Sequence, residues 1–185
     1  GNARVAIVLA NTLAQGETLS GFQDEELFER LFRQRNHPNE NLLISAQVCS
    51  LVYSFQGVDT TSSTSELGFL ASLVGRSASE LYRDLSALIE RDLIQSRDVW
   101  RAVLPHAIAN RLARRALASI PRGELVPAFV NSGSERLIAS FSRRLSYLHD
   151  CDPAVEIVNT WLAEDGWIGR KTSNLNDFGM RMLGN

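Results

Sequence analysis

The apolar residues of this chain recur at spacings of three and four, the helical period, and this pattern fails at one short stretch near the middle. In that stretch, residues 93–95 and 99–104 are rich in apolar side chains and flank the polar Ser96-Arg97-Asp98, which predicts a β-hairpin. We therefore predict a mainly α chain in which β structure is confined to one short hairpin.

The residues before the middle of the chain predict three helices. Amphipathic helices are predicted over residues 5–16 and 24–34, before His37-Pro38-Asn39 breaks the chain. We expect residues 1–38 to form a small helical lid, the first of three domains. A strongly apolar stretch, residues 40–55, then predicts a buried helix.

Serine and glutamate at capping-box spacing mark the starts of further helices. The spacing occurs at Ser63 with Glu66, Ser77 with Glu80, and Ser132 with Glu135. Helices over 65–74 and 78–91 have helix-turn-helix spacing, and together with the hairpin they predict a winged helix. We expect residues 39–120 to form this winged-helix domain with the helix that follows Pro105, and residues 121–185 to form a helical bundle or linker.

The composition is that of an ordinary globular protein, with 19 basic and 21 acidic residues and a formal net charge of −2. No apolar run approaches the ~20 residues that cross a bilayer, and the N-terminal residues lack the pattern of a secretion signal. Cys49 and Cys151 are too few for a disulfide scaffold, and we expect Cys49 to be a small core residue. We therefore expect a cytoplasmic location and no membrane partner.

The second helix of the helix-turn-helix bears on DNA as a partner, because duplex binding depends on Lys and Arg neutralising phosphates. Residues 77–94, which include this helix, carry a net negative charge. They contain two arginines and four acids: Arg83, Arg91, Glu80, Asp84, Glu90 and Asp92. We therefore favour a protein-interaction role and do not expect DNA as a partner. The alternative is a winged-helix transcriptional regulator that binds DNA and dimerises through its C-terminal helices.

The next stretch has the opposite charge, and residues 100–122 contain five arginines and no acid: Arg101, Arg111, Arg114, Arg115 and Arg122. We favour a solvated helix face whose arginine stems cover apolar surface. The alternative is a surface that faces an anion such as a phosphate. His106 begins this helix, where a histidine is usually a cap or a packed ring but can also donate to a phosphate oxygen.

Two further patterns bear on metal binding and catalysis. Residues 149–152, His-Asp-Cys-Asp, are metal-ligand types, but adjacent side chains seldom converge on one ion, so we expect a helix connection and no metal. A P-loop is absent, because Asp165 and Arg170 stand where its glycines are required before Lys171. A nucleophile elbow is absent too, so we expect no catalytic residue in this chain.

The order of these parts resembles the C-terminal half of a STAND ATPase module, the class that includes NB-ARC and NACHT proteins of apoptosis and innate immunity and bacterial antiviral relatives. The resemblance covers roughly residues 1–120. It rests on the opening Gly-Asn-Ala-Arg-Val-Ala of residues 1–6, the helical lid, the Leu-Ile-Glu-Arg-Asp-Leu-Ile of residues 88–94, the hairpin and His106.

The resemblance implies roles for individual residues. Gly1 falls in the family's Gly-x-Pro region, where the lid begins near the adenine, although Ala3 replaces the proline. His106 falls where the family has a histidine that contacts the β-phosphate of ADP, although Ala107 replaces the aspartate that follows it. Arg4 could approach the phosphates. The implied nucleotide contacts are therefore His106, Arg4 and Gly1. Separately, a glycine frequent in the family is Asp92 here, a residue that tolerates a left-handed backbone.

The resemblance also implies partners for the chain. ATP or ADP with Mg²⁺ would be bound mainly by a P-loop domain that precedes Gly1, and a sensor domain would follow Asn185. The whole protein would be an ATPase switch of prokaryotic antiviral defence. ADP would hold it closed, and the sensed ligand would release it to form a homo-oligomer.

Overall fold

The computed structural model describes residues 33–34, 37–38, 40–169, 179–180, 182 and 184 of the chain. In chain order its elements are β1 (Arg33–Gln34), β2 (His37–Pro38), α1 (Glu40–Ser50), β3 (Phe55–Gln56), α2 (Glu66–Ser72), α3 (Ala78–Glu90), β4 (Ile94–Arg97), β5 (Trp100–Val103), α4 (His106–Ser119), α5 (Arg122–Ser132), α6 (Glu135–Leu145) and α7 (Asp152–Leu162). The predicted mainly α fold with a short hairpin is confirmed.

The lid predicted over residues 1–38 falls almost entirely outside the described residues. The helix predicted over residues 24–34 can be compared only at its last two residues, and there the predicted bound is wrong, because Arg33–Gln34 form β1. β1 pairs with β2 in an antiparallel register, with Arg33 opposite Pro38 and Gln34 opposite His37.

A helix, a strand, two helices and two strands follow one another from α1 to β5, and the antiparallel sheet has the order β3-β5-β4. This is the topology of a winged helix, with β4 and β5 as the predicted hairpin. The left-handed backbone of Asp98, at φ 53°, makes its turn. Asp92 is also left-handed, at φ 57°, which an aspartate tolerates.

The helix predicted over residues 40–55 is shorter than expected, because α1 ends at Ser50 and Phe55–Gln56 form β3. The amides that would continue the helix are bonded to distant partners. Tyr53 N donates to Ser140 O at 3.0 Å, and Phe55 and Gln56 pair with β5. Bonds between residues far apart in sequence therefore override the local helical pattern.

One of the three predicted capping boxes is present, at Ser77 and Glu80. At the other two helix starts, the capping serine lies two residues later than predicted. Ser65 caps α2 in place of Ser63, because the Asp59 carboxylate accepts the amides of residues 61 and 62 and keeps that loop irregular. Ser134 caps α6, because Ser132 is still the last residue of α5.

A single hydrophobic core joins the winged helix to the helices that follow it. α4 packs on α1 and also contacts α7, so it lies between the two parts. Cys49 is fully buried in this core, as predicted, and burial raises the pKa of its thiol. None of the described helices is long and apolar enough to cross a bilayer.

Candidate functional site

His106 is the first residue of α4, immediately after the hairpin and Pro105. Pro105 is the residue before the helix and not its first helical position, and no side chain caps this helix start. The first turn of α4 contains no acidic residue, and His106 is exposed. The unbonded amides and the dipole at such a helix start favour a negative charge.

Three aromatic rings lie together at this position, and we call Tyr53, His106 and Tyr147 the ring cluster. The Tyr53 and His106 ring centroids are 4.9 Å apart at 22°, and those of His106 and Tyr147 are 6.5 Å apart at 5°. Tyr53 Oη lies 3.3 Å from His106 Nε2. Residues from three places in the chain therefore meet here: the segment between α1 and β3, the start of α4, and the turn after α6.

Two arginines of α6 border the ring cluster. The guanidinium carbon of Arg143 lies 3.8 Å from the centroid of the Tyr53 ring, and that of Arg144 lies 5.7 Å from it. Arg143 is exposed, whereas Arg144 has no exposed surface. Within the described ranges, neither arginine forms an ion pair with a carboxylate. Among the described residues, the site is therefore cationic and has no neighbouring acid that neutralises it.

The Arg144 guanidinium is held by neutral oxygens. Nη1 donates to Asn110 Oδ1 at 2.6 Å and Nη2 to Val52 O at 3.5 Å, while the buried Nε has no hydrogen-bond partner. Desolvation lowers the pKa of Arg144 to about 10, and the neighbouring Tyr53 and Tyr147 oppose that shift. The side chain still carries its charge at neutral pH.

His106 responds to this environment. Burial lowers the pKa of its imidazole below the ordinary value, and the positive charges of Arg144 and Arg143 lower it further. Both effects favour the neutral imidazole. One ring nitrogen contacts the Tyr53 hydroxyl, so the other is left for a different partner.

The arginine-rich stretch of residues 100–122 is bonded largely within the protein. Arg114 pairs with Asp150, and Arg122 pairs with Glu156. Arg101 donates to the carbonyl oxygens of Asp98 and Trp100, at 2.6 and 2.8 Å. These contacts favour the interpretation of a solvated helix face for the stretch, with acids supplied by the turn before α7 and by α7 itself.

Sequence reasoning missed Arg143 and Arg144, although α6 carried a signal. Leu137, Phe141 and Leu145 are buried at helical spacing, and Arg144 falls on the same face three residues after Phe141. A charged residue at a core position is rare unless it is paired or functional. The interruption of an apolar stripe by one arginine would have pointed to this site.

The other site residues that the sequence predicts are Gly1 and Arg4. Both are outside the described residues. Residues 149–152 connect α6 to α7 as expected, and Asp150 is the partner of Arg114. Across the part of the chain that the structure describes, no group of three or more His, Cys, Asp or Glu side chains could hold a metal ion.

The surface of α3 is less acidic than its sequence. Glu80 is used in the capping box with Ser77. Asp84 accepts a hydrogen bond from Ser45 Oγ at 2.6 Å and pairs with Arg76, also at 2.6 Å. The exposed side chains of α3 are Ser79, Tyr82, Arg83, Ser86 and Glu90. Two of the four acids counted in the sequence therefore serve the fold.

Comparisons with known proteins found no family model, no curated protein and no solved structure that matches the chain.

Proposed function

We propose that this chain is the lid, winged-helix and helical-linker portion of a STAND-type ATPase switch in prokaryotic antiviral defence. The observation that carries the proposal is the position of His106, the exposed first residue of the helix after the wing. Two arginines that have no acid partner in the described part of the chain border it. Donors and positive charge at one helix start fit a phosphate group.

In this proposal His106 donates a hydrogen bond to the β-phosphate of ADP and so holds the winged helix against the nucleotide-binding half. The nucleotide and Mg²⁺ are held mainly by a P-loop domain of the same protein, with Arg4 and Gly1 as further nucleotide contacts. Ring-cluster residues and Arg143 offer donors but no carboxylate for Mg²⁺. Loss of the His106 contact destabilises the closed state by ~1.5–3 kcal/mol, which favours oligomerisation.

The test is His106→Ala in the full-length protein, with His149→Ala as the control because His149 is an exposed residue of the turn before α7. We expect His106→Ala to weaken ADP retention roughly 10- to 100-fold and to raise basal oligomerisation. The control should change neither. If His106→Ala leaves both unchanged, or if no P-loop is encoded upstream of Gly1, the proposal is wrong.

A second candidate is a winged-helix regulator that binds duplex DNA, and one observation favours it. Ser79, Tyr82, Arg83 and Ser86 are exposed on α3, the helix that would enter the major groove, while Asp84 is withdrawn into an ion pair. A duplex-DNA titration at rising salt tests this candidate. A DNA-binding protein loses affinity steeply as salt rises, and binding too weak to measure at low salt contradicts it.

A further inference from the structure

His106 makes a contact whose direction depends on its protonation. When the imidazole is neutral, Nε2 can accept a hydrogen bond from the Tyr53 hydroxyl, 3.3 Å away. When it is protonated, both ring nitrogens are donors, and the Tyr53 oxygen must accept instead. The reorientation of one hydroxyl proton can therefore accommodate both protonation states without moving either ring.

The groups that face His106 decide which state is populated. They are Tyr53 from the segment after α1, Tyr147 from the turn after α6, and Arg143 and Arg144 from α6. Both charged groups are positive, and neither has a carboxylate partner in the described part of the chain. When no anion is bound, the two arginine charges therefore oppose protonation of His106.

An anion at the site would reverse this balance. The Arg143 guanidinium lies on the Tyr53 ring, is exposed, and donates to no acceptor among the described residues, so its planar fork can bind an oxyanion. A doubly charged oxyanion beside Arg143 offsets both arginine charges and attracts an imidazolium. A protonated ring has a second N–H donor besides the one that faces Tyr53, and this donor is available to the anion.

We propose that the ring cluster and Arg143 together bind a doubly charged oxyanion and that His106 takes up one proton from solvent when the anion binds. The inference rests on the proposed function only in placing an anion beside His106, and it adds Arg143 as a direct ligand. The same proton returns to solvent when the anion leaves. Arg144 is a positioning residue, because it is buried and its guanidinium carbon lies 5.7 Å from the centroid of the Tyr53 ring.

Sulfate is the probe of choice, because it stays doubly charged from about pH 5.5 to 8, the range in which histidine titrates, and any pH dependence then belongs to the protein. The chain has three histidines. Their ring resonances can be followed by NMR at each sulfate concentration and pH. The spectrum of His106→Gln assigns the His106 signal, and His149 is the internal reference.

We expect sulfate to raise the His106 pKa. At a pH between the lower His106 pKa of the sulfate-free protein and the higher His106 pKa of the sulfate-bound protein, the bound protein holds one proton more than the free protein. Sulfate affinity therefore rises as pH falls through this window, by up to about tenfold per pH unit for one linked proton. Above the bound-state pKa the ring is neutral in both states, and affinity is independent of pH.

Two variants separate the roles. His106→Gln retains a hydrogen-bond donor without a titratable ring, so sulfate binding should persist and its pH dependence should disappear. Arg143→Gln should weaken sulfate binding roughly tenfold at every pH. Matching circular dichroism spectra of the two variants and the parent chain establish that the fold is intact.

The inference is overturned if sulfate affinity is the same across the pH range, or if His106→Gln keeps the full pH dependence. It is also overturned if well-folded chain binds no sulfate. These results would not contradict the proposed function, because ADP retention by the full-length protein can depend on His106 without a linked proton. Conversely, proton-linked sulfate binding with unchanged ADP retention in His106→Ala supports only this inference.

Discussion

Arg144 is a charged residue with no exposed surface, a combination that is rare in proteins. A guanidinium with no exposed surface and no carboxylate partner in the described residues costs desolvation energy that neutral acceptors offset only in part. The cost is consistent with a role in the electrostatics of the ring cluster.

This interpretation predicts an unusual response to substitution at residue 144. Arg144→Met keeps an unbranched stem and removes the buried charge, so we expect the free energy of unfolding to stay within about 1 kcal/mol of the parent value or to increase. Arg144→Ala leaves a cavity and should lose about 2 kcal/mol or more. Urea denaturation of both variants measures this, and equal losses would show that the guanidinium is needed for stability.

The same Arg144→Met variant has an electrostatic consequence at His106. One of the two positive charges that lower the pKa of the imidazole is removed, so the pKa of His106 should rise toward its ordinary value. Desolvation, the larger cause, remains, so the return is partial. An NMR titration checks this, and an unchanged pKa would exclude Arg144 as an electrostatic neighbour.

At the scale of elements, the sequence predicts the helices and strands whose defining residues are close together in the chain. The helix-turn-helix, the hairpin and the Ser77 capping box are confirmed, because apolar period, turn residues and cap spacing act within a few residues. β3 was not predicted, because the segment that contains it is fixed by hydrogen bonds to β5 and α6, which are about 45 and 85 residues away in the chain. The ring cluster was missed for the same reason, since Tyr53 and Tyr147 meet His106 only in the folded chain.

The start of α2 offers a direct test of structure against sequence pattern. Ser65 Oγ accepts from Gly68 N at 2.9 Å and donates to Asp59 O, whereas Ser63 is exposed in the loop before it. We therefore expect Ser65→Ala to destabilise the chain by about 1 kcal/mol, the usual effect of losing a helix cap. Ser63→Ala, the matched control, should leave thermal unfolding unchanged. The reverse result would restore the capping box that the sequence suggests.

At the scale of the whole molecule, α6 is bonded directly to the winged helix. Ser140 accepts from Tyr53 N through its carbonyl and from Ser54 N through its hydroxyl, at 3.0 and 2.9 Å. Arg136 pairs with Glu66 of α2. The core is continuous across the boundary predicted at residue 120. Contacts of this kind make separate unfolding of the two parts costly.

We therefore predict one cooperative unfolding transition for residues 40–169. Trp100 reports on the wing, and Trp161 reports on α7. In chains that keep only one of these tryptophans, the fluorescence midpoints in urea should coincide with each other and with circular dichroism. Midpoints that differ clearly would indicate two independently folding units, as the division at residue 120 suggests.

The sheet also restricts how copies of this chain could assemble. β3, at one edge, has only two residues, and β4, at the other edge, is largely exposed and ends with Arg97. Short or charged edges are poor templates for the addition of another strand. If the proposed switch assembles into oligomers, we therefore do not expect its subunits to join by adding a strand to this sheet.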